Sequence, residues 1–174
     1  PVRLASGEQK TLYLRCTTTS SLNLPLALHS PACLAGEISR EQTLLGIYYG
    51  ILLVMMIYNF FIYLGLKDST YLYYVLFVFT YMLFQLSVNG MAFQYFWPNQ
   101  IWWANNCTPF FIFLSYIFAT QFTRNILDTA KNVPRIDAIL RAGLVLSVIG
   151  AALTLLVGYH LSIRLATLMS LTVV

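Results

Sequence analysis

The stretch FFIYLGLKDSTYLYYVLFVF (residues 60–79) sets one lysine and one aspartate, Lys67 and Asp68, between two long apolar runs. A hydrocarbon core about 30 Å thick takes about 20 helical residues to cross. The chain is uncharged from Gln42 to Leu66 and again from Ser69 to Thr123. A first span over 44–66 and a second over 71–93 follow. Between them the backbone must turn, and lipid cannot satisfy the polar groups of a turn. Lys67 and Asp68 therefore mark a tight hairpin turn that re-enters water.

The totals agree. Of 174 residues, 59% are hydrophobic and 9% charged, whereas soluble domains carry about 25% charged residues. The mean hydropathy is +0.71. The net charge of +4 is scattered, with no basic patch interleaved with aromatics, which speaks against nucleic acid. Three cysteines, Cys16, Cys33 and Cys107, show no CxxC spacing. Pairing of Cys16 with Cys33 in an oxidising space stays open, beside the reading of small apolar side chains. The chain opens at Pro1 and stops inside an apolar run, and is read as a piece of a longer protein.

Residues 1–38 differ from the rest. KTLYLRCTT (10–18) alternates with period two, and LNLPLAL (22–28) does so more strictly. Both predict strands, with Pro25 confining the second to a sheet edge. Two strands are too few for an independent sheet, so they are read as the last strands of a β-domain. A linker over His29–Ser39 follows. Ser39 with Gln42 three residues on has the form of a capping box and predicts the start of the first helix.

After the second span comes the aromatic turn QYFWPNQIWW (94–103). Trp97, Trp102 and Trp103 suit a membrane–water interface. A third span is predicted over 103–123, kinked at Pro109, with a helix start at Pro109 as the alternative; a fourth is predicted over 138–158 and a truncated fifth over 161–174. Residues 39–174 are thus a transmembrane helical bundle. The loop before the fourth span carries Arg124, Lys131 and Arg135, with Arg141 just inside the helix, while the Trp-rich turn carries no base. The positive-inside rule places the Arg124–Asp137 loop in the cytoplasm and the N-terminal segment outside.

No catalytic, cofactor or metal pattern appears; the histidines, His29 and His160, have no ligand-like spacing. Gln85 and Asn89, four apart, share a helix face, either lining a polar cavity or bonding to a neighbouring helix; Asn59 carries the second reading. Gly46 and Gly50 form a GxxxG, read as packing inside the bundle, with a dimer contact as the alternative. Arg164 is read as an interfacial side chain that snorkels to water, with a ligand contact as the alternative.

The series GIYYG (46–50), Tyr58-Asn59, Lys67-Asp68, YLYY (71–74) and Trp97-Pro98 resembles the bacterial seven-transmembrane receptors with diverse intracellular signalling modules. KTLYLRCTTTSSLNLPLAL (10–28) looks like the end of that family's extracellular β-domain, and FTRN with VPRID looks like its inner loop before span four. The resemblance implies about five of seven spans, preceded by terminal strands of a periplasmic jelly-roll-like β-sandwich. It implies a receptor in the bacterial inner membrane that takes a carbohydrate or other small-molecule signal. The output would be a histidine kinase, as in two-component systems, a diguanylate cyclase or a phosphatase. A homodimer fits such dimeric outputs. The rival reading is a fragment of a multi-span transporter or channel, against which stands the lack of acids inside the spans.

Overall fold

The computed structural model describes residues 30–156, with Thr11, Tyr13 and Arg15 as isolated positions. No strand occurs among the described residues. The strand over 22–28, Cys16, the fifth span and Arg164 lie outside them, as do most positions of the strand over 10–18.

Four long helices form a row. Helix α1 (Pro31–Leu66) packs on α2 (Ser69–Val88), α2 on α4 (Ile101–Ile126), and α4 on α6 (Pro134–Leu156). The short α3 (Met91–Tyr95) and α5 (Thr129–Asn132) lie in the connections. Tyr74, near the start of α2, meets Phe122, near the end of α4, at 5.4 Å between ring centroids, so these helices run antiparallel. Tyr116 lies against Gly143 and Phe113 against Gly150, which makes α4 and α6 antiparallel too.

The first helix starts eight residues before the expected cap. Ser30 is the N-cap: its Oγ accepts the Cys33 N–H at 3.3 Å, and Pro31 follows in the first turn. A serine cap followed by proline is a helix start, because proline's fixed φ suits that position and its missing N–H costs nothing there. The expected box at Ser39 does not form; Ser39 is inside the helix, its carbonyl accepting the Thr43 hydroxyl at 2.8 Å. The predicted linker is thus helical from Pro31 onward. With 36 residues, α1 is roughly 54 Å long, well beyond the bilayer core.

Lys67 and Asp68 form the whole connection between α1 and α2. Lys67 takes a left-handed conformation (φ 56°, ψ 23°) and its N–H donates to the Tyr63 carbonyl at 2.8 Å. Asp68 caps α2, accepting the Thr70 N–H at 2.9 Å. The charged pair ends one helix and starts the next.

The second helix ends at Val88, five residues before the expected Phe93. Asn89 and Gly90 stop it, Gly90 at a positive φ of 73° that favours glycine. The apolar run on to Phe93 belongs to α3. The third predicted span proves to be one helix through Pro109, beginning at Ile101 and not at the proline. The fourth begins at Pro134, not Ala138, with the Asp137 N–H donating to the Val133 carbonyl at 3.1 Å.

Three of the helices, over Ala32–Leu66, Ser69–Val88 and Pro134–Leu156, are long and apolar enough to cross a membrane. Helix α4 is not among them. Its ends carry Asn105, Asn106, Gln121 and Arg124, but it sits in the middle of the row, where Asn106, Cys107, Pro109, Phe111, Phe113 and Thr120 are buried. Between α4 and α6 the backbones come close. A Cβ at Gly150 would lie 2.6 Å from the Phe113 ring, and one at Gly143 would lie 2.8 Å from the Tyr116 hydroxyl. Ser147 and Thr154 are fully buried on the same side of α6.

Gly46 and Gly50 face the other way. A Cβ at either would meet nothing within 4 Å. Packing inside the bundle is therefore not their role among the described residues. The α1 positions turned to α2 include Tyr48, Tyr49, Leu52, Met56 and Asn59, all half-buried, and Gly50 lies opposite that stripe on a helix of 3.6 residues per turn.

Candidate functional site

At one end of the bundle, α3 and the start of α4 gather the aromatic side chains. Trp97 meets Trp103 edge-on at 6.2 Å and Phe111 at 6.4 Å. Trp103 also packs on Phe110 at 5.5 Å. The chain is held beneath by Ala92, fully buried, whose carbonyl accepts the N–H groups of Phe96 at 2.9 Å and Trp97 at 3.3 Å. Trp102 points outward and is 57% exposed. The three tryptophans therefore do different things: Trp97 and Trp103 form a packed cap, and Trp102 offers its ring to the surroundings, as an interfacial residue does. Among the described residues, two polar atoms in this region are buried without a partner, Trp97 Nε1 and Asn106 Oδ1. Asn106 uses its Nδ2 on the Trp102 carbonyl at 2.9 Å.

On α2, Gln85 Nε2 donates to the hydroxyl oxygens of Tyr48 at 3.3 Å and Tyr81 at 3.2 Å. Asn89 Nδ2 donates to the Tyr49 hydroxyl at 2.8 Å. Tyr48 and Tyr49 pack edge-on, 5.3 Å apart. The predicted polar pair thus joins α2 to α1 through these hydroxyls, which is the neighbouring-helix reading. Asn59 behaves otherwise. It bonds back to the Met55 carbonyl of its own helix at 2.8 Å rather than to a neighbour.

The opposite end holds a feature that sequence reading missed. Asp137, 1% exposed in the first turn of α6, gathers three donors. Arg124 Nε lies 2.7 Å from Oδ1, the Thr129 hydroxyl 2.8 Å from Oδ1, and Arg141 Nε 2.6 Å from Oδ2. Arg124 also donates to Gln121 Oε1 at 3.1 Å. One carboxylate so fastens the end of α4, the short α5 and the start of α6. With both oxygens engaged by guanidinium groups it has no lone pair aimed at a substrate, and its chemistry is that of a staple. The spacing of Asp137 and Arg141 is legible as an (i, i+4) helix pair. The partnership with Arg124 requires the fold. Nearby, Lys131 pairs with Asp128 at 2.8 Å on the surface, and that carboxylate raises the lysine's pKa.

Among the described residues, no three His, Cys, Asp or Glu side chains are grouped as metal ligands. Of the six residues singled out by sequence, the structure brings Trp97 and Trp103 together, turns Trp102 outward and sets Gln85 and Asn89 against α1. Arg164 lies outside the described residues.

Comparison with curated proteins and with solved structures gives no match. A row of apolar antiparallel helices, joined by a two-residue charged turn and an aromatic cap, is in keeping with a multi-pass signalling bundle. The family model described as 7TM diverse intracellular signalling matches residues 41–174, most of the chain, and the chain belongs to that family.

Proposed function

We propose that this chain is the membrane part of a receptor that passes an extracytoplasmic signal, carbohydrate or another small molecule, to a cytoplasmic output module. The N-terminal segment lies in the periplasm, the chain sits in the bacterial inner membrane, and the Arg124–Asp137 loop faces the cytoplasm. Helix α4 crosses the bilayer with its neighbours, because it packs between α2 and α6, where Asn106 and Thr120 are buried.

The observation that carries this reading is the continuity of α1 from Pro31 to Leu66. A flexible joint would transmit little orientation. A continuous helix transmits orientation itself. Gln85 and Asn89 are then the residues through which α1 acts on α2, and the tryptophan cap is the surface a docked outer segment meets. A ligand shifts the output only as far as it prefers one arrangement of the bundle over another.

Alanine insertions after Gly36 in the full-length protein test this. Each added helical residue rotates the outer segment by about 100°. Output that varies with the number inserted, recovering near four residues, supports the rod, as does silencing by a Gly-Ser run of equal length. Output indifferent to both insertions refutes it.

A further inference from the structure

Where the end of α1, the start of α2 and the end of α4 meet, a cleft of about 380 Å³ opens. Its walls carry Asn59, Asp68, Tyr71, Tyr74, Phe122 and Asn125. That volume falls in the range of small-ligand sites, about 300–1,000 Å³.

The chemistry of the walls is one-sided. Asp68 has no basic partner among the described residues. Lys67 instead lies over the Tyr63 ring, 5.8 Å from its centroid, and Arg124 is committed to Asp137 and Gln121. Bonds from Thr70 lower the Asp68 pKa and keep the carboxylate charged. A carboxylate accepts about four hydrogen bonds, so capacity remains. Asn59 Nδ2 donates to the Met55 carbonyl, and its Oδ1 is left to accept. The Tyr71 and Tyr74 hydroxyls and the Asn125 amide bond to nothing else in the described chain. Tyr74 and Phe122, 5.4 Å apart, give an aromatic wall.

We propose that this cleft binds a primary ammonium group, supplied either by a soluble alkylamine or by an aminophospholipid headgroup. An ammonium brings three donors and no acceptor, matching the free oxygens, and ring faces attract cations. An anion would meet Asp68 with no compensating base. The site lies at the end of the bundle opposite the tryptophan cap and does not depend on the receptor reading.

The test uses the full-length protein in nanodiscs at neutral pH. In one arm the lipid is phosphatidylcholine alone and 1,4-diaminobutane is titrated, with 1,4-butanediol as the neutral control. In the other, phosphatidylethanolamine is included and its retention is read by native mass spectrometry. Asp68→Asn is the decisive variant, because asparagine caps a helix about as well as aspartate and removes only the charge. Asn125→Leu fills the cleft from the other side. Saturable diamine binding in the first arm assigns a soluble amine, and selective lipid retention in the second assigns a headgroup. In either case both variants weaken binding by about tenfold or more, as loss of hydrogen bonds to a charged group implies. The proposal is overturned if neither arm shows binding that Asp68→Asn weakens. It is equally overturned if Asn125→Cys is shielded from small thiol reagents in the full-length protein, since a further span would then fill the cleft.

Discussion

Asp137→Asn keeps the size of the side chain and removes the charge that holds α4, α5 and α6 together. Arg124, whose side chain is 20% exposed, then has only neutral acceptors, Gln121 and the new amide oxygen. Removing one partner of a buried ion pair costs about 3–5 kcal/mol. Arg124 keeps some water, and the Arg141 side chain is 62% exposed, so solvent screening brings the expected loss to about 2–3 kcal/mol. Arg141→Ala removes the exposed arm and costs under about 1 kcal/mol. Replacing both buried partners, as Arg124→Met with Asp137→Leu, recovers most of the loss, because no charge is then stranded. The assay is reversible unfolding of the micelle-solubilised protein by sodium dodecyl sulfate. Tryptophan fluorescence follows it, since Trp97 and Trp103 sit at the far end and report global unfolding. If Asp137→Asn costs no more than Arg141→Ala, or the double replacement is no more stable than the single, the cluster is not a buried staple.

Gly150→Ala places a methyl group 2.6 Å from the Phe113 ring and should destabilise the same unfolding transition by about 1–3 kcal/mol through overpacking. Gly46→Leu and Gly50→Leu meet open space inside a helix and should leave the monomer's stability unchanged or raise it by up to about 1 kcal/mol; a loss would reveal a helix covering that face. Lys131→Cys, at a side chain 80% exposed, should react with a membrane-impermeant thiol reagent only in permeabilised cells, and labelling of intact cells would reverse the assigned orientation.

The sequence shows the run of helices because burial in lipid demands length and uniform hydropathy, which every residue of a span contributes to. Helix ends are harder to read. Ser30-Pro31 and Asn89-Gly90 are sound start and stop signals, but each is two residues long and stood beside a louder pattern, a false capping box in one case and a continuing apolar run in the other. Gly46 and Gly50 announce close approach without saying to what, and the described partner is absent. The real close approach, Gly143 and Gly150 with Ser147 and Thr154, has no GxxxG spacing and went unremarked. Gln85 and Asn89 were legible because four-residue spacing fixes a shared face. Asp137 was not, since its partner Arg124 lies on another helix and only the folded row brings them together.

Among the described residues, helix α1 contributes no fully buried side chain and packs chiefly on α2. Sequence change along it is therefore checked by few neighbours, apart from the two tyrosines that meet Gln85 and Asn89. Recombination that exchanges everything upstream of the Lys67–Asp68 turn leaves the α2–α4–α6 core untouched. A new outer segment grafted there inherits the bundle if it arrives with the right helical phase and a Tyr-Tyr pair at the right height. In the receptor proposed above, inputs would diversify by trading one helix together with the segment joined to it.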